Sequence, residues 1–226
     1  MSLPGKFAVA VNDSESVTAM LYPAAKKERA GKTIVLGHGA GADQLSGFMR
    51  MVAEGLAARG FDVMTFNFLY KEQKRSVPDP KARLESCYRA VIDAAIKQKK
   101  LKGNRLLIGG KSMGGRIASQ VAAAEGDRIS GLVFLGYPLH PPGRPDKLRD
   151  EHLREIQSPM LFVQGSRDAF GNEDEIRTII KKHRLPATMY VIEGGDHSFK
   201  VPKSVQPQQQ VYEDLMDEVA RWSREL

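Results

Sequence analysis

Ser112, Asp168 and His197 are the residues whose types and order could do chemistry together. Ser112 lies in Gly110-Lys111-Ser112-Met113-Gly114, a G-x-S-x-G pattern between a short apolar run and a helical pattern. Such a pattern puts a serine on a sharp strand-to-helix turn, and flanking glycines remove Cβ atoms that would collide there. A serine hydroxyl is a weak nucleophile near neutral pH and needs a base to take its proton. His197 can be that base, because imidazole exchanges a proton within the physiological range. Asp168 would hold the ring in the required tautomer and stabilise the imidazolium. Attack on a carbonyl develops a negative oxygen, which backbone N–H groups must hold. Met113 offers one such N–H. The turn after His38-Gly39 offers the second, from Ala40, with Gly41 as the alternative.

Each of these residues also has a plainer explanation. Asp168 could be a turn or capping aspartate, and His197 a surface-loop histidine. Asp174 and Asp146 are poorer candidates for the acid, since one lies inside a helical pattern and the other in a long connection. Gly110-Lys111-Ser112 resembles the end of a phosphate-binding loop, but that loop needs glycine where Arg105 stands. Gly37-His38-Gly39-Ala40-Gly41-Ala42 loosely resembles a dinucleotide-binding turn, yet Phe66-Asn67-Phe68 stands where its acidic partner should end the next strand. The order Ser, Asp, His, each past a strand end, favours the triad.

The elements that must position these groups follow from periodicity. Phe7–Val11 and Val17–Tyr22 flank Asn12-Asp13-Ser14 and predict an antiparallel hairpin. Continuous apolar runs predict buried strands at Thr33–Leu36, Asp62–Phe68, Arg105–Ile108, Ile129–Leu135, Met160–Val163 and Thr188–Ile192. Helical spacing appears at Leu45, Phe48, Val52 and Leu56, then at Leu84, Tyr88, Val91 and Ala95. It returns at Ile117, Val121 and Ala122, across Asn172–Lys182, and at Val211, Leu215, Val219 and Trp222. Tyr70–Pro80 reads as a polar loop. Strands alternating with helices predict a mostly parallel α/β sheet covered on both faces. With no repeat, linker or composition break, residues 1–226 read as one domain.

Secondary candidates surround the triad. Gly136–Ser158 is a proline-rich, charged connection where a short lid would sit, which puts Tyr137, His140 and Arg144 at the pocket entrance. A charged surface segment is the competing reading. Lys111 and Arg167 flank the nucleophile and the acid, and would either favour an anionic substrate or form structural ion pairs. His38 is expected to orient the oxyanion turn, His183 to be a solvated helix end, and His152 to lie in a charged helical stretch. No His, Cys or carboxylate spacing suggests a metal, and the chemistry needs no cofactor.

Composition narrows the class. The one cysteine, Cys87, cannot form an internal disulfide and suits a reducing compartment. No basic region precedes a long apolar run at the N-terminus, and no run approaches the roughly 18 residues of a membrane helix, so a cytoplasmic protein is expected. Net charge is +7. The excess is scattered over Lys26-Lys27, Lys71–Arg75, Lys97–Lys102 and Lys181–Arg184, without the interleaved aromatics that stack bases. The expected partner is a small molecule, with an anionic one kept open and no nucleic acid or membrane. Oligomeric state is not indicated.

Five segments together carry a family resemblance: GHGAGAD at Gly37–Asp43, GGKSMGGR at Gly109–Arg116, GYPLHPPGRPDKLRDEHL at Gly136–Leu153, QGSRDAFG at Gln164–Gly171 and GGDHSF at Gly194–Phe199. The chain resembles α/β-hydrolases of the small dienelactone-hydrolase-like type, and within them the KANSL3/testis-expressed-30-like branch. The resemblance implies the α/β-hydrolase fold, an eight-stranded, mostly parallel sheet with a minimal lid, and a serine-hydrolase pocket. The expected activity is cleavage of a small ester, thioester or lactone. The alternative is a non-catalytic scaffold or binding protein that keeps the fold, as some relatives resemble. A peptidase is disfavoured, because no restricting cap or propeller fits in this length.

Overall fold

The structure, a computed structural model, describes residues 3–25 and 29–226. The Lys26-Lys27 pair lies outside the described residues. Eight strands form one sheet: β1 (Gly5–Ala10), β2 (Ser16–Tyr22), β3 (Lys32–Gly37), β4 (Asp62–Phe66), β5 (Arg105–Lys111), β6 (Gly131–Leu135), β7 (Met160–Gly165) and β8 (Ala187–Ile192). Their spatial order is β1-β2-β4-β3-β5-β6-β7-β8. The predicted hairpin pairs β1 with β2, and β2 runs antiparallel to β4. All remaining pairings are parallel.

The central strands are buried along their length, so alternate residues feed two cores. Val35, Ile108, Phe134 and Phe162 face helices α3 (Lys81–Lys97), α4 (Met113–Glu125) and α5 (Glu173–His183). Ile34, Leu107, Val133 and Leu161 face α1 (Gly47–Ala58) and α6 (Gln208–Glu225). The helical spacing seen in the sequence is the burial pattern: Val52 and Leu56 of α1 meet Leu215 and Val219 of α6 in the second core. Each such side chain contributes about 1.5–3 kcal/mol on burial, so these helices are held by the sheet rather than by their own propensity.

Two departures are local. The loop predicted over Tyr70–Pro80 begins with a short helix, α2 (Leu69–Glu72), because Leu69 and Tyr70 pack into the first core. The last turn of α5 is not solvated at His183: its side chain is 7% exposed and its Nε2 lies 2.7 Å from Asp150 Oδ2. Basic flanks around His183 suggested solvent, whereas the buried Asp150 carboxylate needs partners and takes Lys182 Nζ as well, at 2.9 Å.

Strand order reverses at β3, whose neighbours are β4 on one side and β5 on the other. This switch point opens a crevice at the carboxyl ends of β3 and β5. There the backbones come too close for side chains. A Cβ on Gly110 or Gly114 would collide with the Gly37 carbonyl. Tyr88 of α3 seals the contact from below. Its hydroxyl donates to Val35 O or Gly109 O, at 2.9 and 2.6 Å, and accepts from the Gly109 N–H at 3.1 Å. Gly114→Ala is therefore expected to lower folding stability by about 1–3 kcal/mol or more, as overpacking does. Urea unfolding would read this, and an unchanged midpoint would contradict the contact.

Candidate active site

Ser112 caps α4 with φ +50° and ψ −116°. A non-glycine residue in that region costs about 1–3 kcal/mol and survives only where its surroundings force it. Here β5 enters the turn from the sheet, and the Ser112 N–H is tied to Leu135 O at 3.1 Å. The hydroxyl is thereby lifted above the sheet edge.

His197 follows β8 and Asp168 follows β7. His197 Nε2 lies 2.8 Å from Ser112 Oγ, and His197 Nδ1 lies 2.8 Å from Asp168 Oδ2. The Asp168 side chain is fully buried, while that of His197 is 20% exposed. With a carboxylate at Nδ1, the neutral ring carries its proton there and leaves Nε2 as the acceptor for the serine hydroxyl. Phe170 stacks on the imidazole, with ring centres 4.1 Å apart.

Asp168 is itself held by a residue the sequence reading passed over. Gln164 Nε2 donates to Asp168 Oδ2 at 2.8 Å and to Gly171 O at 2.7 Å, while Gln164 Oε1 accepts from the Tyr137 N–H at 2.8 Å. The Phe170 N–H donates to Asp168 Oδ1, also at 2.8 Å. A glutamine at the end of an otherwise apolar strand was the available signal, since a buried amide must be satisfied.

The oxyanion candidates face the same space. A cavity of about 300 Å³ is lined by Ser112, Met113, Ala40, Arg116, Arg149 and Phe170, among others. Among the described residues, neither the Met113 nor the Ala40 N–H donates to another group. His38 shapes the turn: its Nδ1–H donates to Gly39 O at 2.8 Å, and its Nε2 accepts from the Phe68 N–H at 3.2 Å. Burial pushes this imidazole down to about 4, against the pull of the Gly39 carbonyl, so it stays neutral and keeps both bonds. Tyr70 Oη donates to Ala40 O at 2.8 Å. Gly41 is exposed and does not line the cavity. A larger groove of about 440 Å³ lies along Val9, Ser86 and Asp93, but it holds none of these groups.

The expected pocket entrance is corrected. Tyr137 is buried beneath the site, and its hydroxyl donates to Arg149 O at 2.8 Å. His140 is buried too, held by Pro141 O at 2.9 Å and Glu175 Oε1 at 3.1 Å. Glu175 is fixed in turn by a capping box with Asn172 at the start of α5. Arg144 points to solvent and pairs with Asp146 at 3.1 Å. The segment after β6 folds inward at Tyr137, Leu139 and His140, so Pro138 and Arg149 reach the cavity instead. Lys111 also turns away from that space. Its Nζ donates to His197 O at 2.6 Å and lies 5.1 Å from the Phe199 ring centre. Gly136, at φ +70°, gives it room, because a Cβ there would stand 2.9 Å from Nζ. Burial pushes the Lys111 ammonium down to about 8, against the pull of Asp168 and Asp196. Arg167 is exposed and forms no ion pair among the described residues. His152 lies in the charged helical turn Glu151–Glu155, as expected, and its ring turns inward to meet Ser119 Oγ at 2.8 Å.

One cluster was invisible in the linear spacing. Asp150, Glu151 and His183 bring their polar atoms within 4.8 Å of one another. The Lys182 ammonium stands 2.9 Å from Asp150 Oδ2 and 3.7 Å from Glu151 Oε1, where it already supplies positive charge. Among the described residues, no helix is long and apolar enough to cross a membrane.

The fold recurs in solved structures. An alpha-beta serine hydrolase homologue from Coxiella burnetii is 17% identical, with 98% of each chain covered and a TM-score of 0.76. An α/β serine hydrolase without a lid from Xanthomonas campestris is 18% identical, covering 98% of this chain and 96% of its own, at a TM-score of 0.76. Dienelactone hydrolase from Anabaena variabilis is 20% identical, covering 99% and 97%, at a TM-score of 0.71. Identities this low speak for the fold alone. Residues 30–224 match the family described as alpha/beta hydrolase domain. With that match over most of its length, the chain belongs to the alpha/beta hydrolase family.

Proposed function

We propose that this chain is a serine hydrolase that cleaves a small ester, thioester or lactone, with Ser112 as nucleophile, His197 as general base and acid, and Asp168 as the orienting carboxylate. The observation that carries this reading is the unbroken relay from Ser112 Oγ through His197 to Asp168 Oδ2, with 2.8 Å at each contact. Ser112 Oγ attacks the carbonyl carbon while its proton passes to His197 Nε2. The Met113 and Ala40 N–H groups receive the developing oxyanion. His197 then protonates the leaving group, and water repeats the sequence to free the acid. Gln164 fixes Asp168, and Lys111 fixes the His197 backbone from behind.

Two solved neighbours are described as serine hydrolases and one as dienelactone hydrolase, which agrees with ester chemistry. The GYPLHPPG segment supports placement in the KANSL3/testis-expressed-30-like branch, as one domain with the 136–158 segment as a minimal lid. A buried lone Cys87 supports a reducing, cytoplasmic setting. A scaffold that has lost catalysis would need Ser112 blocked or His197 out of reach. The open cavity and the relay favour the enzyme.

A fluorophosphonate probe is expected to label the wild type and to leave Ser112→Ala unlabelled, with ester turnover falling by about 10³-fold or more. A folded wild type that resists the probe would overturn the proposal. The pH profile tests Lys111. Toward alkali, Lys111 loses its charge as pH rises through about 8, which weakens the charge-assisted bond to His197 O. A decline in kcat is therefore expected above that pH. Lys111→Met should lower kcat by about tenfold near neutrality and abolish that alkaline decline. An identical alkaline limb in the variant would remove Lys111 from the mechanism.

A further inference from the structure

The wall of the Ser112 cavity carries two positive charges that lack the partners found elsewhere. Arg59, Arg83, Arg89, Arg128 and Arg221 each face a carboxylate within 4.0 Å. Arg116 and Arg149 line the cavity and face none among the described residues. Arg149 has one side-chain contact, from Nη1 to Pro138 O at 3.3 Å. The Arg116 guanidinium has none among the described residues. Burial pushes the Arg116 guanidinium below its ordinary range, and the like charge of Arg149 pushes the same way.

Both are held in place by backbone. The Arg116 N–H donates to Ser112 O at 3.1 Å, so its Cα stands one helical turn from the nucleophile. The Arg149 N–H donates to Leu139 O at 2.8 Å, and its carbonyl accepts from Tyr137 Oη. The other charges on this wall are already matched. Asp79 Oδ1 takes Arg75 at 2.5 Å, with Arg83 at 3.8 Å, and Lys81 meets Glu85 at 3.5 Å. Asp79 Oδ2 is buried and unpartnered among the described residues. Two half-buried guanidiniums of like charge beside a nucleophile are stable together only when an anion lies between them or water screens them. A planar guanidinium fork fits the oxygens of a carboxylate or phosphate.

Resting on the hydrolase reading above, we infer that the substrate is an ester or thioester bearing a second, anionic oxygen group, and that Arg116 and Arg149 bind this group while Ser112 attacks the carbonyl.

Three esters of matched length separate the outcomes: monoethyl glutarate, its neutral terminal amide, and ethyl 4-phosphonobutanoate. Wild type should prefer an anionic ester over the amide by about tenfold or more in kcat/KM. The preferred anion tells carboxylate from phosphate. Arg116→Gln and Arg149→Gln should each bring that ratio close to one, and Arg116→Lys should restore part of it. If Arg116→Gln fails to fold, Arg149→Gln and Arg116→Lys carry the test. Turnover of all three esters with no anionic preference would overturn the inference and leave the hydrolase reading standing. Binding of monoethyl glutarate to the Ser112→Ala protein, followed calorimetrically, stands apart from catalysis. Saturable binding lost in Ser112→Ala/Arg149→Gln supports the anion site even if no ester is cleaved, and binding indifferent to Arg149 overturns it.

Discussion

The approach of three backbone segments at the switch point governs the rest of the molecule. Gly37 ends β3, Gly110 lies near the end of β5, and Gly114 opens α4, and none has a Cβ to hold the others away. This packing lets a helix start directly above the sheet edge. It also forces Ser112 into its positive-φ conformation, and the parallel ladder on both sides of β5 supplies the stability that offsets the strain. Loosened, this contact would leave the hydroxyl no reason to stand 2.8 Å from His197.

Around that turn, buried polar groups are organised so that each ionisable one has a fixed role. Gln164 joins Tyr137, on the loop after β6, to Asp168 and Gly171, on the loop after β7, in one network. Asp168 stays buried because three donors reach its oxygens: the Gln164 amide, the Phe170 N–H and the His197 Nδ1–H. Lys111 braces the same loop from the far side through the His197 carbonyl. A neutral His38 holds the opposite turn by donating at one nitrogen and accepting at the other. Rotation of any one of these groups would leave a buried polar atom unpaired, at a cost of about 1–3 kcal/mol. The groups around Ser112 are therefore held in fixed positions by the bonds they share, the arrangement that electrostatic preorganisation requires.

The cavity differs from this satisfied interior. Where the interior gives its buried polar groups partners, the wall beside Ser112 leaves Arg116 and Arg149 without a carboxylate partner among the described residues. Electrostatic complementarity at such a wall acts mainly on selectivity, which suits a fold whose catalytic groups alone do not specify a substrate.

The sequence by itself determined the parallel sheet, its helices and the three groups at its edge. These rest on local rules: apolar runs for buried strands, 3.6-residue spacing for helices, and glycines where a serine must turn sharply. Ser112, Asp168 and His197 were legible because each lies just past a strand, and parallel strands deliver their ends to one edge. Side-chain direction was not legible. Tyr137, His140 and Arg144 share one segment, yet the first two turn into the core and the third turns to solvent, because only the packing of that segment against Gln164 and Glu175 decides between them. Lys111 adjoins the nucleophile in the chain but faces the back of His197, since β5 directs successive side chains to opposite faces. Arg116 and Arg149, 33 positions apart by their numbers, meet on one wall through contacts that no periodicity encodes. Local sequence set the elements and the Ser-Asp-His order, and long-range packing chose which charges face the cavity.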